Sequence, residues 1–289
     1  MSDSADQSEA AARHLLSTYL RLVEHRLADC TEAVVLCGSL AMGSYVPGES
    51  DVDQVTILSD SASPEAEEQA RQAARDAMDA CRGAVNLADV VYGRGELDRP
   101  WCEEWDLQPG TKHRATVPEE LLRMHDHGQV EFGEGFDVAA LPRPTSREMI
   151  AYRKRWRRWN QQHQARHPEF ERTLKEELSA RIAAQVILSN AVWHYYFATE
   201  RTCFNKHEIA ERLQQEVPDY AFQAGVELAT RVRLRAGRGI PESEFQELRG
   251  WFDALRQWGT THAVDTVPRG KNANPTRRLP HSDAGGSIC

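Results

Sequence analysis

The sequence predicts an α+β fold, in which an N-terminal α/β domain with a small mixed sheet is followed by a C-terminal α-helical bundle. Before residue 142 strand and helix patterns alternate, whereas after it nearly every segment has apolar residues at helical spacing. Between the two parts, the stretch LPRPTS contains Pro142 and Pro144, which interrupt regular helix. We therefore predict domains at 1–142 and 143–265, followed by a loose polar tail at 266–289.

The elements of the first half follow from the period of the apolar residues. Pro64 and Pro118 each stand where a helix is expected to begin, because proline is well tolerated in a first helical turn. The predicted elements are helix 8–28, strand 32–37, a glycine-rich loop at 38–50, strand 51–58, helix 64–82, strand 84–92, a loop at 93–116 and helix 118–127. In the second half we predict helices at 146–165, 169–199, 206–216, 219–237 and 242–261.

Composition limits the classes of function. The 289 residues carry 35 basic and 44 acidic side chains, a formal charge of -9, which does not favour a general nucleic-acid binder. The longest apolar runs, 32–37 and 186–198, are too short or too interrupted to cross a bilayer, and no secretion signal opens the chain. Six scattered cysteines without a C-x-x-C pair and eleven histidines without an H-E-x-x-H arrangement argue against a disulfide or zinc framework. We expect a cytoplasmic protein.

The most informative stretch is CGSLAMGSYVPGESDVDQVTIL at 37–58. Asp51 and Asp53 are two residues apart in a strand, so both carboxylates project from one face. Two like charges this close favour a bound cation, and for hard oxygen ligands Mg²⁺ is the usual one. Upstream, Gly38 lets the backbone approach phosphate oxygens, to which free amides and the Ser39 hydroxyl can donate.

A third carboxylate is expected on a neighbouring strand, where it completes the metal site or takes a proton from an attacking hydroxyl. Asp89 fits this role, because it lies in the apolar strand that follows the next predicted helix. The alternative is that Ser50 and Asp51 cap a turn while Asp53 is solvated on an edge strand. That alternative leaves Asp89, a carboxylate within an apolar strand, unexplained.

Gly38-Ser39, ten further residues and then Ser50-Asp51-Val52-Asp53 resemble the signature of the nucleotidyltransferase superfamily, which includes DNA polymerase β. The resemblance implies that the Gly-Ser turn contacts a triphosphate and that the Asp-x-Asp pair binds divalent metal. It also implies two Mg²⁺ ions, held by Asp51, Asp53 and Asp89, with ATP or another NTP as co-substrate.

The layout of the whole chain is similar to the aminoglycoside adenylyltransferases that modify streptomycin and spectinomycin, over about residues 12–260. The resemblance implies that Lys206 contacts ATP phosphates, so that Gly38, Ser39, Ser50 and Lys206 are the predicted nucleotide-binding residues. Asn205 and Glu208 form a capping-box pattern that would put Lys206 in a first helical turn. The chain departs from these enzymes in having aspartate at 89, where they commonly have glutamate, and a phosphate loop one residue longer.

Another departure is Trp193, which stands where an ATP-contacting arginine is expected; Arg181 is on the same predicted helix, three turns earlier.

Two further segments leave alternatives open. The stretch YRKRWRRW at 152–159 is either a basic wall facing the triphosphate or a helix with Trp156 and Trp159 in the core. The residues Trp101, Glu103, Glu104, Trp105 and Asp106 suit a cationic acceptor, or simply pack as a loop.

These observations predict an Mg²⁺-dependent enzyme that transfers AMP from ATP to a hydroxyl of a small polar acceptor, with release of pyrophosphate. The acceptor is expected to be an aminoglycoside-like antibiotic or a secondary metabolite. One alternative is a nucleotidyltransferase of the HEPN-associated type that acts on RNA or protein, because Arg201 and His207 have the spacing of the HEPN ribonuclease motif. Another is a nucleotide sensor without turnover.

Overall fold

The computed structural model describes residues 2–82, 85–98, 117–166, 179–235 and 239–270. Its strands are β1 (Thr31–Leu36), β2 (Val52–Leu58), β3 (Leu87–Gly93) and β4 (Gln129–Phe132). Its described helices are α1 (Ser2–Leu27), α2 (Gly38–Ala41), α3 (Pro64–Ala80), α4 (Arg94–Leu97), α5 (Val117–His127), α6 (Ser146–Arg166), α7 (Ala180–Thr199), α8 (Ile209–Glu216), α9 (Gln223–Leu234) and α10 (Glu242–Thr261), with a 3₁₀ turn at Val138–Ala140.

The four strands form one mixed sheet in the order β3-β2-β1-β4. β1 is antiparallel to both β2 and β4, whereas β2 and β3 run parallel and are joined through α3. The small mixed sheet was predicted, but β4 was not, because Gln129–Phe132 alternates polar and apolar residues over only four positions. Short α4 also falls where a loop was predicted.

Each face of the sheet is covered by different helices. On one face, Leu36, Val52 and Leu87 pack against α1 and α3. On the other face, Val35 and Ile57 pack against Leu121 and other residues of α5. Because side chains alternate along β2, the two faces of this one strand meet different surroundings.

The second half is built around α7, an apolar helix with buried side chains along most of its length. Helices α8, α9 and α10 pack on it in a single core that also includes Met149 and Tyr152 of α6 and Leu122 of α5. The helical character predicted after residue 142 is confirmed, while the predicted domain limits stay a prediction. None of the described helices is both long enough and apolar enough to cross a membrane.

Parts of five predicted segments lie outside the described residues. They are residue 84 of a predicted strand, 99–116 of the loop that contains Trp101 to Asp106, 169–178 of the long predicted helix, 236–237 of a later predicted helix, and 271–289 of the tail.

Candidate functional site

A cavity of about 290 Å³ opens at the start of β2, between the sheet and the helical half. Its wall is formed by the segment after β1, the residues leading into β2, one face of α5, the middle of α7, the turn before α8 and the end of α9. The lining residues are Gly38, Ser39, Met42, Ser44, Glu49, Ser50, Asp51, Asp53, Glu119, Arg123, His127, Gln185, Ser189, Val192, Trp193, Phe204, Lys206, His207 and Arg233.

The Gly-Ser turn lies directly against the second aspartate. Gly38 has a φ of +67°, and a Cβ atom at this position would come within 2.0 Å of Asp53 Oδ2. The amide of Cys37 donates to the carbonyl of Asp53 at 2.8 Å, which extends the pairing of β1 with β2 up to the turn. Glycine is therefore needed at position 38 both for its backbone conformation and for the close approach of the carboxylate.

Asp51 and Asp53 both line the cavity, as their spacing predicts. Burial raises the pKa of Asp53, and the neighbouring charge of Asp51 raises it further, although Arg123 and Lys206 oppose the shift. Ser50 is also buried at the cavity, where its hydroxyl accepts from the amide of Val46 at 3.0 Å. Asp53 is thus a partly desolvated carboxylate beside the exposed Asp51.

Three cationic side chains converge on this site. Lys206 lines the cavity beside Arg123 and Arg233, and burial together with these two arginines lowers its pKa to about 8. Arg233 is only 9% exposed, and its guanidinium donates to Ser50 Oγ at 3.1 Å and to Gln185 Oε1 at 3.3 Å. The guanidinium of Arg123 donates to Glu119 at 2.6 Å and lies over the ring of Phe204.

Several nitrogens of the cavity wall are left unpartnered. Nε of Arg123, Nε of Arg233, Nε2 of His127 and Nε2 of His207 are buried without a hydrogen-bond partner in the part of the chain that the structure describes. Buried polar groups are rarely left unpaired, so each such group needs an explanation. Arginine Nε can only donate, and an anionic ligand in the cavity would satisfy it.

Lys206 lies in a non-helical turn that precedes α8, whereas it was predicted to lie within the helix. Helix α8 begins at Ile209, and residues 206–208 form a turn before it. Asn205 Oδ1 accepts from the amide of His207 at 3.0 Å, while the side-chain amide of Asn205 donates to Glu208 at 2.7 Å. The predicted capping pair is therefore present in an altered form that orders the turn.

The prediction that Asp89 shares a site with Asp51 and Asp53 is wrong. In the parallel pairing of β2 with β3, Gln54 lies opposite Asp89 and Asp53 lies opposite Ala88. Asp89 therefore points to the opposite face of the sheet, where Gln54 Nε2 donates to its Oδ1 at 2.9 Å and Tyr19 of α1 lies at 3.5 Å. Asp89 is a partly buried carboxylate that lies away from Asp51, Asp53 and the cavity.

Because of this placement, we expect Asp89→Asn to preserve the site and to change the pH dependence of stability. Burial raises the pKa of Asp89 to about 6 from its ordinary 3.8, so between these pH values the folded state binds more protons than the unfolded state. The free energy of unfolding then falls as pH rises, by on the order of 2 to 3 kcal/mol from this group. Urea unfolding at pH 4 to 7 should show that the difference between wild type and variant follows this fall; a constant difference would contradict it.

The basic stretch of α6 faces the helical core. The guanidinium of Arg153 lies over the ring of Trp193 at 4.9 Å, Arg157 donates to the carbonyl of His262, and Trp156 is partly buried against the core. None of the described side chains at 152–158 lines the cavity. The second of the two interpretations is therefore favoured, and the side chain of Trp159 lies outside the described ones.

Arg201 and His207 do not face a common space. Arg201 is 62% exposed and pairs with Glu216 at 2.6 Å, whereas His207 lines the cavity. This separation does not suit a ribonuclease pair, in which both side chains would contact one phosphodiester.

Arg123, Arg233 and Glu119 were not predicted. Arg123 follows Glu119 by four residues on α5, a common surface-pair pattern that gives no sign of a site. Arg233 gave no signal in the sequence, because α9 also contains Arg231 and only the structure shows which of the two is buried. Trp193 does line the cavity. Arg181 does not, but it pairs at 3.0 Å with Glu49, which does.

The donor set of the site fits Mg²⁺ shared with a phosphate ligand. Within the described residues, no three His, Cys, Asp or Glu side chains come together as a metal site. Mg²⁺ is commonly held by one or two carboxylates, substrate phosphates and water. Asp51 and Asp53 supply such a pair, and a divalent cation would relieve both the partial desolvation of Asp53 and the repulsion between the two charges.

No protein-family model matches this chain, and no curated protein does. Among solved structures, it is similar to the spectinomycin adenyltransferase AAD(9) from Enterococcus faecialis, whose crystal structure contains ATP and spectinomycin. The match has a TM-score of 0.52 and 11% sequence identity, and it covers 84% of this chain and 99% of that one. The chain therefore shares its fold with this adenyltransferase, and the predicted fold class is confirmed.

Proposed function

We propose that this protein is a nucleotidyltransferase that transfers AMP from ATP to a hydroxyl group of a small polar acceptor and releases pyrophosphate. The proposal rests on one observation, that acidic and basic side chains line the same cavity. Asp51 and Asp53 stand on one wall, and Arg123, Lys206 and Arg233 surround them, with unpartnered arginine nitrogens. Nucleotidyl transfer needs this combination of a metal-binding carboxylate pair and cations for phosphate oxygens.

Different residues of the cavity would bind the phosphates and hold the metal ion. Lys206 and Arg233 would bind phosphate oxygens, and the amides and hydroxyl of the Gly38-Ser39 turn would donate to others. Asp51 and Asp53 would hold Mg²⁺, which supplies Lewis-acid stabilisation of the negative charge that develops on the phosphates. Arg233 would also position Ser50, to which it donates, at the start of β2.

A small acceptor suits the remaining wall better than a macromolecule. Ser44, Gln185 and Ser189 contribute hydroxyl and amide groups to the lining, which can hydrogen-bond to a hydroxyl-rich molecule. The similar enzyme AAD(9) binds spectinomycin. We infer an acceptor of this general kind, an aminoglycoside-like antibiotic or a secondary metabolite, and a cytoplasmic location, where ATP is abundant.

The test is pyrophosphate release with Mg²⁺ and each of the four NTPs, against a panel of aminoglycosides, spectinomycin, lincosamides and nucleosides. Acceptor-dependent release, with AMP found on the acceptor by mass spectrometry, would support the proposal. Mg²⁺-dependent nucleotide binding without release for any acceptor would overturn it in favour of a sensor or of a macromolecular target.

Nucleotide binding is expected to weaken at alkaline pH because of Lys206. Its pKa in the free protein is about 8, so the side chain loses its charge as pH rises through this value, and a neutral amine is a poorer phosphate ligand. We expect the dissociation constant for α,β-methylene-ATP with Mg²⁺, measured by calorimetry, to rise roughly tenfold from pH 7.5 to 9.5.

The matched control for this pH dependence is Lys206→Arg, because a guanidinium keeps its charge throughout the range. The dissociation constant of this variant should be nearly independent of pH. An equally steep rise in the variant would assign the titration to another group.

A further inference from the structure

Strand β3, next to β2, was expected to supply a carboxylate for the proposed reaction. It supplies none on the side of the sheet that faces the cavity. On the cavity side of the sheet, β3 presents Ala88 opposite Asp53 and Val90 opposite Val55. Neither side chain can accept a proton, and Asp89 points to the other face. If the proposed function is correct, the group that takes the proton from the attacking hydroxyl must come from another element.

Helix α5 covers this face of the sheet and brings Glu119 to the cavity. The Glu119 side chain is 16% exposed, and its two oxygens are held by different partners. Arg123 donates to Oε1 at 2.6 Å, and the hydroxyl of Tyr152 donates to Oε2 at 3.0 Å. A carboxylate oxygen can accept more than one hydrogen bond, so Glu119 is oriented by these partners and can still accept from a ligand.

Glu119 is also close enough to the other charges of the site to influence them. Its charge raises the pKa of Asp53 and opposes the fall in the pKa of Lys206. Yet in the part of the chain that the structure describes, no third carboxylate joins Asp51 and Asp53 in a metal-binding group. This arrangement suits a residue that acts beside the metal and phosphate site.

We propose that Glu119 is the catalytic base of the transfer, in place of a carboxylate on β3. The inference rests on the proposed function. In the step, the acceptor O–H proton passes to a Glu119 oxygen while the acceptor oxygen forms a bond to the α-phosphorus. The bond from the α-phosphorus to the bridging oxygen breaks, and its electron pair leaves with pyrophosphate. The proton on Glu119 then returns to solvent.

Glu120 provides a matched comparison on the same helix. It is the adjacent glutamate, its pKa is raised to about 7 by burial and by its acidic neighbours, against the effect of Arg123, and it lies outside the described lining of the cavity. Substitution of either residue by glutamine removes one carboxyl group beside Arg123. Only the substitution at 119 removes a carboxylate that faces the cavity.

The experiment compares wild type, Glu119→Gln and Glu120→Gln, using an acceptor that supports pyrophosphate release by the wild type. We expect Glu119→Gln to lower kcat by roughly 10² to 10⁴, the usual contribution of a general base, and to flatten the acid limb of log kcat against pH. Its dissociation constant for α,β-methylene-ATP with Mg²⁺ should stay close to the wild-type value. Glu120→Gln should retain most of the turnover and the acid limb.

Three other kinds of result would contradict the proposal. A Glu119→Gln variant that keeps wild-type turnover, or one whose kcat falls while the acid limb persists, would overturn the assignment, as would a larger loss in Glu120→Gln. A loss of nucleotide binding in Glu119→Gln would make the residue a structural support for Arg123. A wild type that is inactive with every acceptor would overturn the proposed function itself and this inference with it.

Discussion

Replacing Asp53 by asparagine is expected to reduce the proposed nucleotidyl transfer by about 10³-fold or more, because the proposed metal site would lose one of its two carboxylates. The same substitution is expected to raise the stability of the free protein. Burial and the charge of Asp51 hold the pKa of Asp53 above its ordinary value, which means that its charge is unfavourable in the folded state at neutral pH. A neutral amide of the same shape removes this penalty.

The two effects are measured separately, as pyrophosphate release and as the free energy of unfolding in urea without metal at pH 7.5. Asp89→Asn is the matched control for turnover, since it makes the same chemical change in a neighbouring strand but on the other face of the sheet. Turnover in Asp53→Asn close to that of Asp89→Asn would show that Asp53 holds no essential metal. A fall in stability would show that its charge is satisfied by Arg123 and Lys206 in the free protein.

The position of Asp89 shows what the residue pattern of a strand can predict and what it cannot. Alternation within one strand correctly predicts that Asp51 and Asp53 share a face, because the two residues are joined by the same backbone. It says nothing about register between strands, and a slip of one residue moves every side chain to the opposite face. The observed pairing of Gln54 with Asp89 is set by packing of β3 against α1 and α3, which the pattern of β3 alone does not contain.

Two of the three cations of the site, Arg123 and Arg233, were unpredictable for a related reason. Lys206 was predicted through a resemblance, and the structure brings it to the cavity. Arg123 and Arg233 are 110 residues apart in the chain, and they meet only when α5 and α9 pack around the same cavity. The arginine expected near Trp193 has no counterpart at that position, yet Arg233 brings a cation into the same space from α9.

Replacing Gly38 by alanine is expected to disable the site and destabilise the fold. A left-handed backbone costs a residue with a side chain roughly 1–2 kcal/mol, and the new methyl group would lie 2.0 Å from Asp53 Oδ2. Relief of this overlap adds about 1–3 kcal/mol and must move either the Gly-Ser turn or the Asp53 carboxylate. A displacement of about 1 Å at either group is enough to lower turnover by about 10²-fold.

Gly43 separates the two contributions, because it has nearly the same φ, +65°, and no atom within 4 Å of its would-be Cβ. Gly43→Ala should therefore show only the backbone cost, about 1–2 kcal/mol in urea unfolding, with turnover largely retained. The additional destabilisation and loss of pyrophosphate release in Gly38→Ala then measure the contact with Asp53. Equal effects of the two substitutions would mean that the carboxylate can move aside freely, and that the Gly-Ser turn does not hold Asp53 in place.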